Sequence, residues 1–149
     1  MFQVIAHCPL GLEPVCADEI ASLGAELGEV HANAGVVEFE ASLSDLFRAN
    51  LRLRCTERLS IALAGFEVRR FDKLVEHVSS IAWERWLDDR RRLLLRVTSR
   101  GSKLYHERAI EERVHRAIQE RLGHPIEIAG GEELDDPGRD VQLVIVRLE

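Results

Sequence analysis

The chain has 149 residues, of which 46% are hydrophobic and 31% are charged, and its formal net charge is −6 at pH 7. This composition suits one globular domain or two small ones, and it excludes a membrane-spanning protein because no apolar run approaches the ~20 residues that a span requires. The first residues lack the basic segment and the long apolar stretch of a signal peptide, so a cytoplasmic location is expected.

The first third of the chain predicts a strand, a helix and a hairpin, in that order. Phe2 to His7 is the predicted strand, and Pro14 suits the first turn of a helix. The apolar stripe of that helix consists of Leu12, Val15, Cys16, Ile20 and Leu23. Val30 to Ala32 and Val36 to Phe39 then predict two strands around the turn Asn33-Ala34-Gly35.

A second helix and a further strand follow the hairpin. Ser42, with Asp45 three residues later, resembles the capping box that begins a helix. The helix is expected from about Leu43 to Leu53, and the strand from about Arg58 to Val68. The residues predicted to face inward from this helix are Leu46, Phe47 and Leu51. The order βαββαβ is that of a ferredoxin-like domain, in which two helices cover one face of an antiparallel sheet.

The chain is expected to divide after residue 68, so that residues 1–68 form the ferredoxin-like domain and residues 69–149 form a second α/β domain. The second domain begins with a helix that Asp72 can cap, with Leu74, Val75, Val78 and Ile81 on its apolar side. Trp83 and Trp86 follow, and they could stack on bases or fill the core. Their apolar neighbours in the sequence favour the core.

The segment from Leu93 to Leu122 carries the main functional signal. An apolar strand from Leu93 to Thr98 leads into a basic loop that contains Gly101, and a helix follows with apolar residues four apart. A cationic loop that enters a helix N-terminus can hold phosphate, because backbone N–H groups, the helix dipole and cationic side chains all attract an anion. The alternative is an ordinary loop with solvated charges, and charge and spacing alone favour this alternative.

The charge of the chain is unevenly distributed. A dedicated nucleic-acid-binding domain is usually basic, whereas this chain is acidic as a whole. Residues 85–108, however, hold 8 basic and 3 acidic side chains, a local charge of +5. Such a segment can attract phosphate within an acidic protein, although the binding is expected to be weak and sensitive to salt.

The candidate binding residues lie in and beside the basic loop. They are Arg96, Arg100, Gly101, Ser102, Lys103 and His106. Arg100 and Lys103 are the principal candidates, and Arg96 would share a face with Arg100 if the strand continued that far. The tract Arg90-Arg91-Arg92 could extend the positive surface or could be a turn neutralised by the two preceding aspartates, and the sequence leaves both possibilities open.

The sequence contains no recognisable catalytic constellation. It has neither of the glycine-rich patterns that hold a dinucleotide or a nucleoside triphosphate. The three cysteines and six histidines show no zinc-ligand spacing, so no metal, no disulfide framework and no cofactor is expected in this chain. By itself the chain is therefore expected not to be an enzyme.

The C-terminal part predicts an exposed acidic loop from Glu132 to Asp140 and a last strand from Val141 to Leu148. The sequence ends directly after this strand. We therefore expect a fragment of a longer protein, with the second domain truncated, and some self-association through an exposed strand edge.

Several of these segments, taken together, resemble the THUMP domain and the region that precedes it in bacterial THUMP-containing RNA methyltransferases. The matching pairs in the basic segment are Arg100-Gly101, Ala117-Ile118 and Leu122-Gly123. Gly11-Leu12-Glu13, after the first strand, is similar to the opening of those enzymes, and Ile81-Ala82-Trp83 is similar to a short element of the same group.

The resemblance implies a function that the residues alone do not give. It implies that the chain binds ribosomal or transfer RNA and positions it for a fused S-adenosylmethionine-dependent methyltransferase, with a guanine N2 as the expected target. S-adenosylmethionine would then belong to the catalytic domain. The alternatives are another THUMP-bearing enzyme, such as one of tRNA thiolation, and a protein-interaction module without RNA binding.

Overall fold

The computed structural model describes residues 1–24, 27–88, 90–104, 106–130 and 141–148. The chain forms two compact units, Met1–Gly65 and Phe66–Glu149. The acidic loop expected at Glu132–Asp140 lies outside the described residues. The division expected after residue 68, as a boundary between independent domains, stays a prediction.

The first unit has the order that the sequence predicts. Its elements are β1 (Phe2–His7), α1 (Glu13–Ala21), β2 (His31–Asn33), β3 (Val36–Ala41), α2 (Leu43–Arg52) and β4 (Arg58–Ala62). The four strands form one antiparallel sheet in the order β2-β3-β1-β4. The prediction of a ferredoxin-like βαββαβ unit is therefore confirmed.

The core of the first unit lies between the sheet and the two helices. Its fully buried members on the strands are Val4, Ala6, Val37, Phe39 and Ala41, and the helices contribute Cys16, Ile20 and Ala49. The alternate strand positions point to one face, as the two-residue period of a strand requires. Cys16 is a reduced, fully buried core residue, as the sequence predicts.

Helix α2 begins as predicted, but only part of its predicted inward face is correct. Ser42 is its N-cap, and the Ser42 hydroxyl accepts a hydrogen bond from the Asp45 backbone N–H at 3.2 Å. The predicted inward direction of Phe47 and Leu51 is wrong, because these side chains are 59% and 84% exposed. The inward-facing positions are Ala49, which is fully buried, and Leu46, which packs against the core as predicted.

Three other expectations for local structure need correction. Strand β4 ends at Ala62 and does not reach Val68. Asp72 does not cap the first helix of the second unit, because it lies inside the first turn and accepts a hydrogen bond from Arg70 Nε at 3.0 Å. On α1, Val15 is 47% exposed and does not belong to the buried stripe.

The second unit places helices beside a parallel pair of strands. Its elements are α3 (Phe71–Ser80), a 3-10 turn (Trp83–Arg85), β5 (Arg92–Ser99), α4 (Glu107–Leu122) and β6 (Val141–Leu148). β5 and β6 pair in parallel along their whole length, from Arg92 opposite Val141 to Ser99 opposite Leu148. On its other side β5 is bridged at Leu93 to Ile128.

The core of the second unit confirms the prediction for Trp83. This side chain is 2% exposed, and its Nε1–H donates to the Val78 carbonyl oxygen at 2.8 Å. The other core side chains come from all the helices and from β5, and they include Leu74, Val78, Leu93, Ile110, Val114, Ala117 and Ile118. α4 ends at Leu122, and the following Gly123 has a φ of 74°, the left-handed conformation that commonly follows a helix.

Candidate nucleic-acid interface

The outward face of β5 carries two of the candidate arginines. From Leu95 onward the residues alternate between covered and exposed positions, so that Arg96, Thr98 and Arg100 are exposed. The Arg100 backbone N–H donates to the Leu148 carbonyl oxygen at 2.8 Å, which continues the ladder one residue beyond the end of β5. Arg96 and Arg100 therefore lie on the same face, as the sequence suggests for an unbroken strand.

The basic loop after β5 is anchored by one buried side chain. Leu104 is 5% exposed, and its carbonyl oxygen accepts a hydrogen bond from the Ser99 hydroxyl at 2.6 Å. The Leu104 backbone N–H donates to Ser102 Oγ at 3.3 Å. These bonds use the Ser102 hydroxyl inside the loop, while the side chains of Arg100 and Lys103 remain exposed.

Gly101 has a conformational role in this loop. Its φ is 75°, in the left-handed region that side chains rarely adopt, and a Cβ placed on it would meet nothing within 4 Å. The glycine is therefore required by the backbone conformation, not by lack of space. The turn that it allows lies between the two principal candidate residues, Arg100 and Lys103.

Helix α4 begins directly after His106, which the sequence places at the helix entrance. α4 begins at Glu107, so residues 102–106 separate Gly101 from the helix, and His106 is its N-cap residue. A carboxylate, Glu107, occupies the first turn, and its Oε1 accepts a hydrogen bond from the Ser99 backbone N–H at 3.0 Å. Four residues lie between Ser102 and the helix, and the carboxylate in the first turn opposes an anion there, so any attraction of phosphate to Gly101-Ser102 depends mainly on side chains.

The three candidate cations Arg96, Arg100 and Lys103 form no ion pair among the described residues. The arginine and lysine side chains that form ion pairs there are Arg48, Arg54, Arg70, Lys73, Arg91, Arg92, Arg108 and Arg121. Arg96, Arg100 and Lys103 are not in this set. Because they are exposed and uncompensated, a phosphate group could bind them without displacing a carboxylate.

The arginine tract at 90–92 does not extend this surface. Arg92 begins β5 and Arg100 follows its end, so about 26 Å of strand separates them. Arg92 Nη2 lies 3.1 Å from Glu127 Oε1, and Arg91 Nε lies 3.6 Å from Asp88 Oδ2. Of the two possibilities that the sequence leaves open, the geometry favours the turn with neutralised charge.

One cation of this surface is missing from the set predicted from the sequence. Arg147 on β6 is exposed, and it lies opposite Thr98 in the register of the parallel pair. The described ion pairs do not involve it either. The nearly continuous apolar sequence of the last strand does not show which way Arg147 faces, and only the pairing of β6 with β5 brings it beside the candidate arginines.

Other kinds of site find little support in the described parts of the chain. No group of three or more His, Cys, Asp or Glu side chains there could hold a metal ion. None of the helices there is long and apolar enough to cross a membrane. His115 and His7 have local partners, since His115 Nε2 lies 3.0 Å from the Ile126 carbonyl oxygen and His7 Nε2 lies 3.1 Å from Ser60 Oγ.

Comparison with known families assigns most of the chain to two domain types. Residues 3–60 match the RlmL ferredoxin-like domain, and residues 68–130 match the THUMP domain. The second match contains the basic loop and the strand that precedes it.

The curated relatives are much longer than this chain. The "Putative RNA methyltransferase YpsC" of Bacillus subtilis is 31% identical over 121 residues, which are 81% of this chain and 31% of that protein. The "Ribosomal RNA large subunit methyltransferase K/L" of Syntrophotalea carbinolica is 31% identical over 146 residues, which are 97% of this chain and 20% of that protein. The chain thus spans less than a third of the length of either relative.

One solved structure has a similar fold. A Listeria monocytogenes protein described as a "predicted N6-adenine-specific DNA methylase" has a TM-score of 0.80 and 29% identity to this chain. The match covers 99% of this chain and 37% of that protein.

Proposed function

The chain belongs to the family of proteins that join an RlmL-type ferredoxin-like domain to a THUMP domain, and from this membership we propose that it binds RNA for an RNA methyltransferase. The observation that carries the proposal is the group of exposed, uncompensated cations within the THUMP match, namely Arg96, Arg100 and Lys103. The names of the curated relatives, which are RNA methyltransferases, support the same class of ligand.

The role proposed for this chain is positioning, not chemistry. Contacts with the phosphate backbone fix the orientation of a nucleic acid without reading its sequence. The THUMP unit would hold ribosomal or transfer RNA so that a target base, a guanine at N2 in this proposal, reaches a catalytic domain outside these 149 residues. That domain would hold S-adenosylmethionine and work in the cytoplasm.

The side chains act here mainly as charges and hydrogen-bond donors. An arginine guanidinium can donate two parallel hydrogen bonds to one phosphate, whereas a lysine ammonium acts as a mobile point charge. Arg96 and Arg100 are placed by the strand ladder, and Lys103 by the loop that Leu104 anchors. This combination suits binding that depends on backbone charge and is almost independent of sequence.

The experiment that tests the proposal compares wild type with the double variant Arg100→Ala/Lys103→Ala on a tRNA or rRNA fragment over a range of salt. We expect the double variant to bind more weakly on every RNA sequence, and the slope of log affinity against log salt to flatten by roughly one unit per lost phosphate contact. Fold stability should change by under ~0.5 kcal/mol, because both side chains are exposed.

Two controls make the result specific. Arg69→Ala/Arg116→Ala removes the same charge from two other exposed positions of the second unit and should leave the salt slope near that of wild type. A DNA of the same sequence tests the kind of nucleic acid. An unchanged affinity and slope in Arg100→Ala/Lys103→Ala, or tighter binding of the DNA, would contradict the proposal.

A further inference from the structure

We propose that Arg147 completes an RNA-phosphate-binding face with Arg96 and Arg100, across the exposed side of the β5–β6 pair. This inference rests on the proposed function and names a binding residue for the same site. Arg147 lies near the C-terminal end of β6, 44 residues after Lys103 in the sequence. The pairing of the two strands is what brings it there.

The register fixes the position of Arg147 relative to the other two arginines. Arg147 is opposite Thr98, and Ile145 is opposite Arg96. Residues that are opposite each other in neighbouring strands project to the same side of the sheet. The bond from the Arg100 N–H to the Leu148 carbonyl oxygen, at 2.8 Å, shows that this register persists as far as Arg100.

The three side chains therefore form a triangle. Alternate residues of a strand are about 6.6 Å apart and neighbouring strands about 4.8 Å apart, so the Arg147 Cα lies about 8 Å from the Cα atoms of both Arg96 and Arg100. Arg96 and Arg100 themselves are about 13 Å apart along the strand. Arginine side chains at these separations can contact successive groups of one extended polyanion.

The C-terminal end of this face carries only positive charge. The residues that share the face with the three arginines are Arg92, Leu94 and Thr98 on β5 and Val141, Leu143 and Ile145 on β6. Arg92 lies at the opposite end, where its Nη2 is 3.1 Å from Glu127 Oε1, and the other five residues are uncharged. Arg96, Arg100 and Arg147 are all exposed, and no described ion pair involves them. Like charges on neighbouring strands repel one another, and a bound anion relieves that repulsion.

The chemistry of the three groups favours a nucleic-acid backbone as the ligand. Guanidinium groups bind phosphate through paired hydrogen bonds and remain charged at any physiological pH. A free phosphate ion can engage only part of a triangle whose longest side is about 13 Å, whereas a phosphodiester chain that crosses both strands meets all three arginines. The proposed RNA contact would thus extend from the basic loop onto β6.

The test uses the variant Arg147→Ala, with Arg147→Lys as a charge-preserving partner and Arg116→Ala as a charge-matched control on the outer side of α4. Binding to the same tRNA or rRNA fragment is measured over a range of salt. We expect Arg147→Ala to weaken binding by about three- to tenfold and to flatten the salt slope by about 0.7–0.9. Arg147→Lys should keep the slope of wild type and lose part of the affinity, because lysine cannot form the paired bonds.

The outcomes separate this inference from the function on which it rests. If wild type does not bind RNA even at low salt, the proposed function fails. If wild type binds RNA but Arg147→Ala has the affinity and slope of wild type, only the role of Arg147 is wrong. A loss of structure in Arg147→Ala would be visible in its urea unfolding curve, and Arg147→Lys would then decide the question. If Arg147→Lys had both the RNA affinity and the salt slope of wild type, Arg147 would not form paired hydrogen bonds with phosphate. Inorganic phosphate and unlabelled RNA can also be compared as competitors. If phosphate inhibited RNA binding at the same concentration as the unlabelled RNA, the claim that the face binds an extended phosphodiester chain would be contradicted.

Discussion

At the scale of single residues, Glu13 links two distant parts of the first unit. Its Oε1 accepts a hydrogen bond from the Gly35 N–H at 2.7 Å, and its Oε2 accepts one from the Gly11 N–H at 2.8 Å. The carboxylate therefore ties the start of α1 to the turn between β2 and β3. The Gly11-Leu12-Glu13 motif, which the sequence associates with the opening of RNA methyltransferases, has a structural explanation in these contacts.

This arrangement predicts a pH-dependent contribution of Glu13 to stability. The Gly35 N–H bond lowers the pKa of Glu13 below its ordinary value of 4.5. Since the folded-state pKa is depressed, the stabilisation is present above the unfolded-state pKa and is lost as the pH falls through the folded-state pKa. Glu13→Gln should therefore lower the urea midpoint near neutral pH, because an amide can accept at only one of the two positions, and the difference from wild type should shrink in acid.

The control for this prediction is Asp18→Asn, an exposed position of the same helix. Its effect on the urea midpoint should be small near neutral pH, because the side chain is exposed. A difference between Glu13→Gln and wild type that stays constant from about pH 7 to about pH 3 would show that the carboxylate charge is not what matters.

At the scale of secondary structure, the sequence predicts most elements well, because local patterns determine them. β1 has the predicted bounds, and α2 begins after its predicted cap. The direction of α2 was predicted only in part, because the helix has apolar residues on two sides. Leu46 packs against the core, but the large Phe47 and Leu51 are exposed and the small Ala49 is buried in their place.

The orientation of α2 predicts an unusual order of mutational effects. Leu51→Gln should change the free energy of unfolding by under ~0.5 kcal/mol, because Leu51 is 84% exposed. Ala49→Leu should cost about 1–3 kcal/mol, because Ala49 is fully buried and the added methyl groups must displace its neighbours. Urea unfolding of both variants measures the two values. The reverse order would mean that the helix packs with its other side inward.

The candidate site could be predicted only in part, and the reason lies in the pairing of strands. Arg96, Arg100 and Lys103 belong to one continuous segment, so local patterns reveal them. Arg147 joins them only through a parallel pairing between strands separated by α4, which no local pattern specifies. The same pairing leaves the outer edge of β6 without a strand neighbour among the described residues, and the expected self-association through that edge stays a prediction.

At the scale of the whole molecule, net charge is a poor guide to the ligand. The chain carries −6 overall, yet its exposed and uncompensated cations include a group at one end of the β5–β6 pair. Salt shortens the range of electrostatic attraction to about 10 Å at 0.1 M, so a bound phosphate responds mainly to the charges of this group. An acidic protein can therefore present a local surface that binds RNA.

The most direct test of this account is an NMR titration. An RNA fragment is added to the chain at low salt, and the backbone amides whose chemical shifts change are mapped. We predict that the largest changes fall on the second half of β5, on the loop from Arg100 to Leu104 and on the C-terminal half of β6, and that added salt reverses them. Changes concentrated within Met1–Gly65, or on the outer side of α4 around Arg116, would contradict the proposed interface.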